Sequence, residues 1–478
     1  MFIHYTNEKL VNMNILILGA GQVGSSLAEL LAHSNNDVTV VDLDQASLQR
    51  LQDRLDIRTV NGHAADPDIL NLAGLEDADM LIAATHEDDT NIVACQLAHI
   101  MHKTETKIAR VRSPSYLNHP ELFDRNQNSD AIPINVLISP ETLVKDYILQ
   151  LIDYPGSLQV VDFADGKVRL VAIRAYEGGL LVGKKIREIK HHLPEGVMHR
   201  IVAIYRHNEI VIPTGEVTIQ VGDEVFFLAE PSHIPKIVQE LRRDKLRPSR
   251  NIMIAGGGNI GFNLAKELEK QHNVKIIDHN ITQARKISEQ LEDAIVIHGD
   301  VADRSLLVEE NIDEIDLFVG LTNSDEANII SGMLAKKLGV RRVIALVNNQ
   351  SYVDLIQLNS IDIALSADQI TTSRLLHYMR QGDTVKAFTL RRGTAEAMEV
   401  IVHGSENSSH IIGKRIGEIA WPSSITIGCI IRDEEVLFSH RDLSIEAEDH
   451  VILFLNDPTQ AIEITDLFKP HEKKSWFS

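Results

Sequence analysis

Asn14-Ile15-Leu16-Ile17-Leu18-Gly19-Ala20-Gly21-Gln22-Val23-Gly24 is an apolar strand running into a G-x-G-x-x-G loop. The design returns at Asn251-Ile252-Met253-Ile254-Ala255-Gly256-Gly257-Gly258-Asn259-Ile260-Gly261. In such a loop the first glycine makes a tight turn and the second lets backbone approach a pyrophosphate. The third lets helix and strand pack closely. The helix that follows offers free N–H groups and a positive dipole end to phosphate. The predicted phosphate-binding positions are therefore Gly19, Gly21, Gln22, Val23 and Gly24, and Gly256, Gly258, Asn259, Ile260 and Gly261. One such loop is weak evidence. Two, each between a strand and a helix, predict a chain that binds a nucleotide twice.

An acidic residue closes the next strand in each half. Val38-Thr39-Val40-Val41 ends at Asp42, 18 residues beyond Gly24, and Val274-Lys275-Ile276-Ile277 ends at Asp278, 17 beyond Gly261. A carboxylate there accepts the ribose hydroxyls of an adenosine and repels a 2′-phosphate. Asp44 adds to that repulsion. The expected ligand is NAD(H) or an adenine nucleotide, not NADP(H).

The loops are one part of a longer repeat. Gly19 to Gly256 spans 237 positions, as does Thr85 to Thr322, and Asn61-Gly62-His63-Ala64 matches His298-Gly299-Asp300-Val301 at the same offset. Past the nucleotide folds, Gly183-Lys184-Lys185-Ile186-Arg187-Glu188-Ile189 matches Gly413-Lys414-Arg415-Ile416-Gly417-Glu418-Ile419, and the segment around Val221-Gly222-Asp223-Glu224-Val225 resembles that around Glu448-Asp449-His450-Val451. Short apolar strands alternating with helical segments imply parallel sheets. The predicted fold is α/β: two Rossmann-like doubly wound parallel-sheet domains, each followed by a small α+β domain. The expected limits are a disordered leader at 1–12, nucleotide folds at 13–140 and 251–368, and linking helices at 141–156 and 369–384. Small domains follow at 157–241 and 385–469, with a basic linker at 242–250 and a tail at 470–478. In the first linking helix Leu143-Val144, Tyr147-Ile148 and Leu151-Ile152 make an apolar stripe at helical spacing. Such a stripe is more often intrachain core than a contact surface, and its place between domains raises the contact reading.

Composition excludes several classes. With 478 residues, 44 % apolar and 24 % charged, the chain is an ordinary globular one of several domains. A net charge of −21 argues against nucleic acid as a partner. No apolar stretch reaches the roughly 18–20 residues that span a bilayer. Two cysteines, Cys95 and Cys429, in separate halves fit a reducing compartment. The 21 histidines form no metal-ligand spacing, and the small domains carry no Ser/His/Asp ordering. Neither a catalytic group nor a metal site is predicted.

Further ligand contacts are expected at strand ends, where open α/β sheets bind. Thr85 and His86, and Thr322 in the second half, follow the fourth strands. Arg110 offers a guanidinium to phosphate, where the second copy has Leu346. Gly299 and Asp300 lie near the expected adenine position, where the first copy has Gly62 and His63. The two sites are thus expected to be non-equivalent.

The tandem plan resembles the regulatory subunits of Trk potassium-uptake systems, the TrkA family, built from two RCK units. The motifs that carry the resemblance are ILGAGQVG at 17–24, VVD at 40–42, HGD at 298–300, TNSDEAN at 322–328 and VGDEVFF at 221–227. The resemblance spans Met13 to Phe468. It implies a cytoplasmic protein, peripheral on the inner face of the cell membrane, that binds NAD(H) or ATP/ADP. It further implies a homo-oligomeric ring, a tetramer, under a potassium-translocating membrane subunit whose transport it controls. Ring assembly in the family runs through the helix here bearing the Leu143–Ile152 stripe. His63 in place of an aspartate departs from the pattern. The rival classes are an NAD-dependent oxidoreductase with two dinucleotide folds and a nucleotide-binding scaffold without a transport partner.

Overall fold

The computed structural model describes residues 13–469 apart from 33–35, 126–127, 195, 208, 242–248, 350, 353–360, 380–383 and 392–393. The expected leader, the tail and residues 242–248 of the basic linker lie outside the described residues.

The first parallel sheet is built from β1 (Asn14–Leu18), β2 (Asp37–Asp42), β3 (Arg58–Asn61), β4 (Met80–Ala83), β5 (Thr106–Arg110) and β6 (Val136–Ile138). Their order is β3-β2-β1-β4-β5-β6. Ile15 to Leu18 and Met80 to Ala83 are buried on both faces, which is why these strands read as continuous apolar runs rather than alternating ones. The order reverses between β1 and β4, and the Gly19 loop opens at that switch point. Ligands of such sheets bind there, beyond the carboxyl ends of the strands.

Next along the chain come β7 (Ser157–Phe163), β8 (Val168–Arg174), β9 (His199–Arg206), β10 (Glu209–Val211) and β11 (Glu224–Ala229), which form an antiparallel sheet in the order β10-β9-β11-β8-β7. The second parallel sheet comprises β12 (Asn251–Ala255), β13 (Asn273–Asp278), β14 (Ile295–His298), β15 (Leu317–Gly320), β16 (Arg342–Leu346) and β17 (Ile363–Leu365). Its order, β14-β13-β12-β15-β16-β17, repeats the first. Finally β18 (Thr384–Leu390), β19 (Ala395–Ile401), β20 (Ile425–Arg432), β21 (Glu435–Phe438) and β22 (His450–Leu455) form a sheet ordered β18-β19-β22-β20-β21. Read from the other edge, that is the order of the first small sheet. The sixth strands β6 and β17, three residues each, were not expected from the sequence; so short a run shows no period.

The two small sheets share one apolar core. Phe163 meets Phe388 edge-on at 5.4 Å between centroids, and Phe226 meets Phe454 at 5.9 Å. Val202, Leu228, Cys429 and Ile452 fill the space around them. Gly428 gives Leu228 its room here, since a Cβ on it would stand 2.1 Å from the Leu228 Cδ1. At the rim the Arg391 guanidinium lies 3.9 Å above the Tyr205 ring and pairs with Glu224. Such a ring face attracts the cation.

One expectation is corrected. In the helix Pro140–Asp153, Val144, Ile148 and Leu151 are fully buried within a single chain. This part of the apolar stripe is core, not a surface left for another chain. The Arg342 guanidinium donates to the Leu151 carbonyl at 2.8 Å and to the Ser157 carbonyl at 2.6 Å. A cation there satisfies acceptors that a helix end leaves open. In the second linking helix, Ala367–Met379, Leu375 is buried; the side chains of Leu376, Tyr378 and Met379 lie outside the described residues.

Candidate functional site

The glycine loops have the geometry their spacing predicts. Gly19 has φ +107 and Gly256 φ +108, the region only glycine enters at little cost. A Cβ at Gly19 would also stand 2.9 Å from the Ala84 carbonyl oxygen. The third glycines are tighter still. A Cβ at Gly24 would lie 1.9 Å from the Gly19 oxygen, and one at Gly261 would lie 1.9 Å from the Gly256 oxygen. The second glycines are the opposite case: a Cβ at Gly21 or Gly258 meets nothing within 4 Å. That open cradle faces the starts of the helices Gln22–Ala32 and Asn259–Leu268. Gln22 and Asn259 are exposed, while Val23 is core and Ile260 half-buried; the last two have only backbone to offer a ligand.

Each acidic residue is bound to its own glycine loop. Asp42 Oδ2 accepts the Ala20 N–H at 2.5 Å, and Oδ1 accepts the Asp44 N–H at 2.7 Å. Asp278 repeats this with Gly257 and Asn280, both at 2.7 Å. A carboxylate has about four acceptor positions, so each oxygen retains room for a hydroxyl. Asp44 and Asn280 cap the helices Gln45–Gln52 and Ile281–Ser288. Hydrogen bonds from the Ser47 hydroxyl and the Ala46 amide hold the Asp44 carboxyl below the usual carboxylate range.

Thr85 and Thr322 occupy the far wall, and their hydroxyls are committed. Thr85 donates to Asn91 Oδ1 at 2.7 Å, and Thr322 to Asn328 Oδ1 at 2.7 Å. Asn91 Nδ2 then donates to the Arg110 carbonyl, and Asn328 Nδ2 to that of Leu346, each at 2.9 Å. Both asparagines are essentially inaccessible. They tie the end of the fourth strand to the end of the fifth. His86 is exposed beside Glu87, and the Arg110 side chain is half-buried. Leu346 is buried in its place.

His63 and Asp300 do the same local work. His63 Nδ1 accepts the Ala65 N–H at 3.2 Å, and Asp300 Oδ1 accepts the Ala302 N–H at 2.9 Å. The imidazole therefore replaces the carboxylate as the acceptor of one turn. Gly299 is a packing glycine, since a Cβ on it would stand 2.4 Å from Leu306.

The motif reading missed the two asparagines and a pair of aspartates. Asp88 Oδ2 holds the N–H groups of Arg112 and Ser113, and Asp325 Oδ2 those of Asn348 and Asn349. Identity of residue type at the repeat offset was the available signal. Among the described residues no three His, Cys, Asp or Glu side chains are placed to hold a metal, and no helix is long and apolar enough to cross a membrane.

Comparison with known proteins agrees with this architecture. The TrkA-N domain model matches residues 15–132 and 252–367, and the TrkA-C domain model matches 170–242. The Trk system potassium uptake protein TrkA of Vibrio alginolyticus is 49 % identical over 458 residues, covering 96 % of this chain and 99 % of that protein. Its namesake from Halomonas elongata is 50 % identical over 457 residues, with the same coverage. Among solved structures, the GsuK RCK domain has a TM-score of 0.60 at 18 % identity, covering 98 % of both chains. The GsuK channel bound to NAD has a TM-score of 0.59 at 18 % identity, covering 97 % of this chain and 80 % of that one. At that identity the likeness is one of fold. The matches along nearly the whole length settle the relationship: this chain belongs to the TrkA family of Trk-system potassium uptake proteins.

Proposed function

We propose that the chain is a nucleotide-responsive regulatory subunit, with an adenine nucleotide, NAD(H) or ATP/ADP, bound at each glycine loop. In this reading it acts as a homo-oligomeric ring, a tetramer, on the cytoplasmic face of a potassium-translocating membrane protein and gates transport rather than catalysing a reaction. The domain limits given above are part of the proposal. The observation that carries it is the duplicated crevice: an open second-glycine cradle at a helix start, with the carboxylate of Asp42 or Asp278 bound to the same loop. The NAD-bound GsuK channel, of the same fold, adds support.

The energetics are undemanding. Moving a two-state gate from 1:99 to 99:1 takes about 5.5 kcal/mol of differential binding. Spread over the two sites of each chain in a tetramer, that is about 0.7 kcal/mol per site, less than one charge-assisted hydrogen bond.

Gly21→Val and Gly258→Val test the reading directly, because a Cβ at either position stands in the open cradle with no atom of the chain within 4 Å. Titration with NADH, NAD, ATP and ADP should show each variant losing one class of site while its unfolding transition stays in place. Unchanged binding in both variants contradicts the proposal. Turnover of the nicotinamide with any substrate favours an oxidoreductase instead.

A further inference from the structure

The carbonyl of the second loop residue is pinned in both halves, but by unrelated donors. In the first half Ser25 Oγ donates to the Ala20 oxygen at 2.8 Å. Ser25 lies on the helix that the loop itself opens, Gln22–Ala32. In the second half the matching position is Phe262, which has no donor. There Gln283 Nε2 donates to the Gly257 oxygen at 2.6 Å. Gln283 comes from a different element, the helix Ile281–Ser288 that follows Asp278.

The consequence is a difference in connectivity. Gly257 is bound through its N–H to Asp278 and through its carbonyl to Gln283. Both partners belong to the segment that carries the ribose-binding carboxylate. The helix is drawn close enough that a Cβ on Gly257 would stand 2.7 Å from Ile287 and 3.0 Å from Asp278 Oδ2. A side chain at the second loop position would thus crowd Ile287 and Asp278 in this half, whereas the first half carries Ala20 there. Asp278 is correspondingly buried, 7 % exposed, while Asp42 is half-buried. In the first half Asp42 to Ala20 is the one side-chain tie among the described residues that joins the ribose segment to the phosphate loop, beside a backbone bond from the Gly19 N–H to the Val41 carbonyl that the second half repeats with Gly256 and Ile277.

We infer that Gln283 is the positioning residue of the second nucleotide site, locking phosphate loop and ribose segment into one preorganised piece. Ser25 serves the first loop alone, so the first site's ribose segment is tied to its loop through Asp42 without a second side chain of the Gln283 kind. Preorganisation of this kind raises affinity by removing the cost of ordering on binding. The inference rests on the nucleotide reading above.

The test uses the full chain with Gly21→Val, so that only the second site is read, titrated with NADH and with ADP. Gln283→Ala, and Gln283→Met, which keeps the length but removes the donor without adding a charge, should each weaken binding about tenfold, the worth of one hydrogen bond. Backbone amides at 257–260 should exchange faster in the unliganded variants, with the unfolding midpoint unchanged; a purely structural role would move the midpoint instead. Ser25→Ala in the same background should leave affinity as it was. Equal affinity in the parent and both Gln283 variants overturns this inference alone. A parent that binds neither probe, when the wild type binds at one site only, overturns the nucleotide reading of the second half and this inference with it.

Discussion

Asp278 Oδ2 accepts the N–H of Gly257 at 2.7 Å, so the carboxylate expected to hold a ribose also holds the loop expected to hold a phosphate. Asp42 and Ala20 repeat the relationship. Truncating either acid removes a ligand contact and a loop restraint together. Asp42→Ala and Asp278→Ala should each weaken one class of site by about 1–3 kcal/mol, the cost of stranding buried hydrogen-bonding groups. Calorimetric titration of each variant checks this, and two unchanged affinities contradict the ribose assignment.

Asn91 and Asn328 should be stability residues. Each satisfies a threonine N–H and hydroxyl and two carbonyls from an inaccessible position. Asn91→Ala or Asn328→Ala leaves buried backbone groups unpaired, at about 1–3 kcal/mol for each such group. Denaturant unfolding should report the loss. A change below the error of that measurement refutes it.

The small domains share a buried ion pair in duplicate. Asp223 takes Arg206 Nε and Nη2 at 2.9 and 2.8 Å, and Asp449 takes Arg432 Nε and Nη2 at 2.8 Å each. Both carboxylates are buried, and the hydrogen bond from each arginine to its aspartate raises the guanidinium above its ordinary value. Asp223→Ala or Asp449→Ala removes the buried carboxylate from a part-exposed guanidinium, which in Arg432 keeps Glu446, and should destabilise by about 1–3 kcal/mol. A thermal midpoint equal to that of the wild type contradicts this.

The two thiols should be inert in the folded chain. Burial pushes the Cys95 thiol up to about 12, with Lys107 opposing the shift, and burial also raises that of Cys429. The thiolate is the reactive species, so neither should react with a thiol reagent at pH 8 until the chain is unfolded. Rapid labelling of the native protein refutes the burial.

The nucleotide folds were legible because backbone geometry leaves few choices. Gly19 and Gly24 are dictated by a positive φ and by a 1.9 Å approach, and a strand-end aspartate has few other uses. The asparagine clasp was hidden because Asn91 and Asn328 sit in polar first turns that read as surface. The pairing of the small sheets was hidden for a different reason. The apolar residues along β7 or β18 tell that a face is buried, not that Phe163 meets Phe388 from another repeat. The stripe on Pro140–Asp153 stayed ambiguous because apolar spacing is the same for core and contact; Ile148 at 0 % exposure assigns its own position to the core. Ser25 and Gln283 escaped because the donors to one carbonyl come from positions that do not align.

The measurement closest to the central claim is potassium flux through a reconstituted Trk-type membrane subunit, with and without this chain, across additions of NADH, NAD, ATP and ADP. Flux should depend on the chain, and its dependence on nucleotide should disappear when Gly21→Val and Gly258→Val are combined. Equal flux with and without the chain, whatever the nucleotide, contradicts the account.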